Sequence, residues 1–129
     1  MILIEATILF ETIYKRFAAV SAYPFIFIRY KNKNVFVNYL MQKGYKEADA
    51  IKQYDRLITH ELIHHEQQKE LLLIFFPLFY YSEFFYNLLK YRNFYRAYRN
   101  ISFEREVYEG SKVYNYLKIR EKFSWINYR

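Results

Sequence analysis

The chain contains no cysteine. Disulfides and thiolate metal sites are therefore excluded, and any metal must be held by His, Asp or Glu. Glycine and proline are scarce, with two of each, which argues against long disordered linkers. Histidine occurs only three times, and all three copies, His60, His64 and His65, fall within six residues. No secretory signal is evident: Met1 to Phe10 is apolar but carries Glu5, Glu11 and Lys15 follow, and a positive leader region and a small-residue cleavage site are both missing. The expectation is a cytoplasmic protein or one peripheral to a membrane. Nor is there a clean hydrophobic run of spanning length. Leu71 to Leu89 is long enough but contains Pro77, Ser82, Glu83 and Asn87, and a carboxylate at mid-span is costly. It reads as two aromatic-rich helical pieces broken at Pro77, of a composition that suits contact with an anionic membrane surface.

Aromatics are present in excess, at 23% with 16 Tyr and 13 Phe. Such a chain buries a large area per residue and also leaves rings near its surface. Its 129 residues suit a single domain, 1–129, with one modest core. The net charge is +7. The cations are spread through Lys31 and Lys33, Lys90 to Arg99 and Lys112 to Arg129. Zinc-finger spacing, an RNP-like aromatic signature and a Gly-rich RNA loop are all missing, so nucleic acid is set aside as a partner.

The pattern that carries chemistry is His60-Glu61-Leu62-Ile63-His64. Residues four apart lie on one helix face, so both imidazoles can address one metal ion. Glu61, beside them, can take a proton from a metal-activated water without being a ligand. Zinc in such a site needs a third protein ligand. With no Cys and no other His, it must be a carboxylate, and Glu104, Glu106 and Glu83 compete. Glu83 lies at the HExxH-x18-E spacing of some larger aminopeptidases. Here, however, the helical pattern continues for about eleven residues past His64, roughly 16 Å, and a chain reversing at Pro77 returns only about 9 Å by Glu83. Glu104 is favoured, with Glu83 and Glu106 as alternatives.

The remaining pattern predicts a mainly α, α+β fold. Residues 1–22 read as a helix through Ile2, Leu3, Ile4, Ile8, Leu9, Phe10, Ile13, Phe17 and Val20. Phe25–Ile28 and Val35–Val37 read as a β-hairpin over 24–39, turning at Lys31–Asn34. Gly44 breaks the chain, and Tyr45 to Gln53 suits a short helix. Asp55 is a candidate N-cap for a helix from Arg56 to about Phe75, ended by Pro77. A helix over Leu78–Tyr91 follows, then a basic irregular stretch from Arg92 to Asn100. Another helix begins at Ser102, with Phe103, Val107, Tyr108 and Val113 as its apolar face. Tyr116 to Arg129 is weakly patterned.

His60-Glu61-Leu62-Ile63-His64 with Gln67-Gln68, followed by Phe103-Glu104-Arg105-Glu106-Val107-Tyr108, resembles small bacterial zincin-like domains, minimal gluzincins that carry HExxH, QQ and an EREx motif. More distantly it is similar to the HtpX and CAAX-prenyl protease group. The resemblance covers Asp55 to Tyr108. It implies a zincin-like core: the HExxH helix, ligand-bearing helices after it and a small hairpin before it. It also implies a zinc metallopeptidase acting on a peptide or protein, with Glu104 as third ligand. Val107 stands where that group has Ala, and Tyr108 where it has a ligand-orienting Asp. Tyr98, Arg99, Arg105 and Tyr108 are candidates to stabilise an oxyanion, and Glu70 or Glu106 to orient the histidines. The alternative is a zincin fold without catalysis that binds a membrane surface or a protein partner. Glu61 separates the two, because only catalysis requires it.

Overall fold

The computed structural model describes residues 2–6 and 18–129. It is mainly helical with one small sheet, an α+β architecture. The chain divides into two compact units, residues 1–62 and 63–129.

The first unit holds the sheet: β1 (Ile2–Glu5), β2 (Ala19–Ala22) and β3 (Phe25–Ile28), in the order β1-β3-β2. β2 and β3 form an antiparallel hairpin that turns at Tyr23-Pro24, and β1 runs parallel to β3. The helix expected over 1–22 is therefore not formed at either described end. Ile2–Glu5 and Ala19–Ala22 are strands, and the positions 7–17 lie outside the described residues. The short apolar run Ile2-Leu3-Ile4 has no period that separates strand from helix, and pairing with Phe25–Phe27 decides it.

The hairpin exists but is shifted. Val35–Val37 is not its second strand; it belongs to helix α1 (Lys33–Gln42). The local reason is Asn32, whose side chain accepts the Val35 N–H at 2.9 Å and caps the helix. The expected hairpin turn is thus a helix start. Phe36 and Val37 are buried on α1, and the Phe36 ring packs between Tyr30 at 5.0 Å and Tyr54 at 5.7 Å. Helix α1 ends in a Schellman motif. Tyr45 N–H reaches the Leu40 carbonyl and Gly44 N–H the Met41 carbonyl. Gly44 sits at φ +102°, where a side chain would be strained.

Helix α2 runs unbroken from Glu47 to Glu70. It absorbs the short helix expected over Tyr45–Gln53, and Asp55 is an exposed mid-helix residue 3.7 Å from Lys33, not a cap. Its first half supplies Tyr54, Leu57, Ile58 and Leu62 to a core built on Ala19, Ile26 and Ile28. The division between the units falls inside this helix.

The second unit starts with the end of α2. The helix stops at Glu70 rather than near Phe75, and the stop is not made by Pro77. Leu72 and Leu73 adopt the left-handed conformation, φ 53° and 61°, which disfavours each by about 1 kcal/mol. Pro77 instead lies in the first turn of helix α3 (Phe75–Tyr91), where its missing N–H is not needed. Arg92, left-handed, ends α3, and Asn93 caps helix α4 (Phe94–Arg99) by accepting the Arg96 N–H. The stretch expected to be irregular is thus largely helical.

Helix α5 spans Ser102–Gly110 and buries Phe103 and Val107 as expected, while Val113 lies beyond it and is exposed. Ser102 is its first residue and not a self-sufficient cap. Both its N–H and its hydroxyl donate to the Glu83 carboxylate at 2.7 Å. Helix α6 (Tyr116–Ile119) and a 3-10 helix (Ser124–Tyr128) complete the unit. Its core is aromatic: Phe103 packs against Trp125, ring centroids 4.5 Å apart and tilted, and meets Phe76 edge-on at 5.0 Å.

Glu83 caps α5 from another helix, so Glu83→Ala is expected to destabilise the protein by about 1.5–3 kcal/mol, the range for hydrogen bonds to a charged group. Thermal melting checks this. A melting point unchanged in the variant would show that the cap is dispensable.

Candidate metal centre

Along α2 the inward face changes character at the motif. Upstream it is apolar. From Glu61 onward it is buried yet polar: Glu61, His64, His65, Gln67 and Gln68 are all less than a tenth exposed, with Ile63 beside them. Buried polar groups are tolerated only when partnered, so the network around them defines the site.

His60, His64 and Glu104 offer one ligand atom each, all within 4.8 Å of one another, the only such group of three among the described residues. His64 Nε2 and Glu104 Oε1 are 3.3 Å apart. That equals the edge of a tetrahedron with metal–ligand bonds near 2.0–2.1 Å, about 3.3 Å. Glu104 projects from the first turn of α5, and His60 and His64 from successive turns of α2. Glu61 lies buried between them in sequence, at 4% exposure. His65 is also buried but is not in the group.

The orientation of His64 follows from hydrogen-bond arithmetic. Gln67 Nε2 donates to the Phe103 carbonyl at 3.1 Å and to Glu106 Oε2 at 2.7 Å. Both partners only accept, so the amide nitrogen must face them. Gln67 Oε1 is then left to accept from His64 Nδ1 at 2.8 Å. The proton of a neutral His64 is thereby assigned to Nδ1, and its lone pair on Nε2 faces the Glu104 carboxylate. Two lone pairs 3.3 Å apart repel unless a cation lies between them or the ring is protonated. This is the donor arrangement of a metal-ligating histidine, held by an outer partner.

Glu106 is itself fixed. Arg120 Nε and Tyr116 Oη donate to its Oε1, and Arg120 also forks onto Glu70. The pair of buried carboxylates holds the Arg120 guanidinium firmly protonated, although burial alone would lower its pKa. Burial, and then the Glu106 carboxylate, push the Tyr116 phenol well above the usual tyrosine range, so it remains a donor. Neither Glu70 nor Glu106 touches a histidine in this network; Glu106 acts one step behind Gln67.

Glu104 is gripped on both oxygens. Tyr80 donates to Oε1 at 2.6 Å and Tyr98 to Oε2 at 3.1 Å. Burial, and next the Glu104 charge, hold the Tyr98 phenol far above the usual range. The Tyr108 hydroxyl lies 3.2 Å from that of Tyr98. Tyr108 thus reaches the carboxylate through a second tyrosine. Arg99 stacks over the Tyr108 ring, 3.5 Å from its centroid. Arg99, Arg105, Tyr108 and Glu109 line an open cleft of about 530 Å³.

The other two candidate ligands are engaged elsewhere, Glu83 by Ser102 and Glu106 by Arg120, Tyr116 and Gln67. Phe25–Ile28 is the central strand, paired on both sides, and so offers no free edge to an extended peptide. Sequence reasoning missed Tyr80, Tyr116 and Arg120. Gln67 was legible as part of the motif, three residues past His64, the spacing that lets one helix residue orient another. Comparison with family models, curated proteins and solved structures finds no match.

Proposed function

We propose that this protein is a zinc-dependent metallopeptidase of the gluzincin type, with a zincin-like core. The observation that carries the reading is the convergence of His60, His64 and Glu104, with His64 Nε2 turned toward the carboxylate. Two imidazoles and one carboxylate, all nitrogen and oxygen donors, suit zinc and leave a fourth position open. When bound, zinc supplies Lewis acidity, lowering the pKa of a water and polarising a carbonyl.

The residues of the chain do the rest. Glu61 accepts the proton of the attacking water and passes it to the leaving amine. Gln67 holds His64 in the tautomer that presents Nε2. Tyr80 and Tyr98 fix the Glu104 carboxylate and keep it from swinging. The cleft beside Tyr108 is lined by none of His60, Glu61, His64 and Glu104 and is given no part in the reaction. A peptide or protein substrate follows from the resemblance of the motif, not from the cleft.

A second reading rests on the burial of Glu61: a zincin-like module that holds metal without hydrolysing anything. Both readings require the metal. Elemental analysis of protein purified without a metal column is expected to give about one zinc per chain, lost in His64→Ala. A metal-free protein with no thermal shift on adding zinc would overturn both.

A further inference from the structure

Helix α3 is apolar on two faces. One face, Phe76, Tyr80 and Phe84, packs into the aromatic core of its unit. The other carries Phe75, Leu78, Phe79, Phe85, Tyr86 and Leu89, all exposed, Leu89 by 80%. Their spacing, i, i+3, i+4, then i+10, i+11, i+14, places them on one stripe, interrupted at i+7 by the exposed Ser82, whose hydroxyl donates to the Leu78 carbonyl. The stripe leads into the left-handed tip before α3, where Leu72 is 70% and Ile74 76% exposed. An exposed apolar surface of this kind marks a docking site.

Charge identifies the occupant. From Leu71 to Arg99 the only acidic residue is Glu83, and its carboxylate is turned to Ser102. Against it stand Lys90, Arg92 and Arg96, exposed at the end of the stripe. Lys90 and Arg96 both lie over the Tyr91 ring, at 5.1 and 5.0 Å. Apolar side chains bordered by tyrosine and cations form the profile of a helix lying in a lipid headgroup region. A second copy would bring the same uncompensated cations and no acidic side chain to meet them. No single described helix is long and apolar enough to cross a membrane, and α2 and α3, apolar enough together, are bent by 111° at their break.

We propose that the outward stripe of α3 and the tip before it dock this protein on an anionic bilayer surface, with Lys90, Arg92 and Arg96 against lipid headgroups. Each cation near such a surface strengthens binding by about fivefold, and salt screens it. The inference is independent of the metal reading.

The test is flotation of the full chain with phosphatidylcholine vesicles, with and without phosphatidylserine, at low and high salt. Two exposed positions are changed together, Leu78→Glu with Phe85→Glu, and folding is followed by circular dichroism. Expected is binding that depends on phosphatidylserine, falls with salt, and drops by about tenfold or more in the folded double variant. Recovery only in the soluble fraction overturns the proposal. So does flotation unchanged by the double variant, or a lipid-free dimer that the same variant dissolves. A second pair, Arg92→Glu with Arg96→Glu, leaves the apolar stripe intact and is expected to abolish the dependence on phosphatidylserine; unchanged dependence overturns the electrostatic part.

Discussion

For the proposed zinc peptidase, Glu61→Gln is expected to leave metal binding in place and to lower peptide hydrolysis by about 10²–10⁴-fold, the range for losing a positioned general base. The substitution preserves size and hydrogen-bonding reach but removes the site that accepts a proton. Glu61 is buried, so the side chain has few alternative positions and no bulk solvent to relay through. The loss should fall on kcat with KM little changed, because the proton transfer exists only in the transition state. Zinc content measured on the same sample separates chemistry from binding. Hydrolysis within tenfold of the parent protein would remove Glu61 from its assigned role. Zinc retained by both proteins with no hydrolysis by either would favour the non-catalytic module.

Arg120→Met is expected to cause a large loss of stability, about 3–5 kcal/mol, because it leaves buried carboxylates uncompensated. Glu106 is fully buried and Glu70 nearly so, and one guanidinium serves both. For a chain of this length the melting point should fall by about 10–20 °C. Adding Glu106→Gln should restore part of the loss, because it removes one of the stranded charges. A deficit under about 1 kcal/mol would mean that the pair behaves as a surface ion pair.

How far each feature could be read depended on how local its cause was. The helical setting of the motif was legible, because two histidines and a glutamate at that spacing make sense only on a helix. The break at Gly44 was legible because φ +102° suits glycine and little else. Glu104 was favoured over Glu83 partly on helix length, and that argument used the wrong stop. The helix ends at Glu70, and what occupies Glu83 is Ser102. Val35-Phe36-Val37 misled because β-branched and aromatic residues favour strands only where a sheet accepts them; Asn32 capped a helix there first. The irregular reading of Arg92–Asn100 weighed charge above Asn93, whose side chain starts a helix. Arg120 had no signal at all, since its partners lie in distant parts of the chain and an arginine in a basic segment looks like any other.

The chain of contacts from Arg120 through Glu106 and Gln67 to His64 has a consequence for the order of events during synthesis. The histidines leave the ribosome long before Arg120. Until that arginine arrives and seats Glu106, the Phe103 carbonyl alone holds the Gln67 amide in the orientation that presents its oxygen to His64. The proposed centre is therefore fully ordered only after a residue far downstream of the motif has been made, and a nascent helix carrying both histidines does not yet have it.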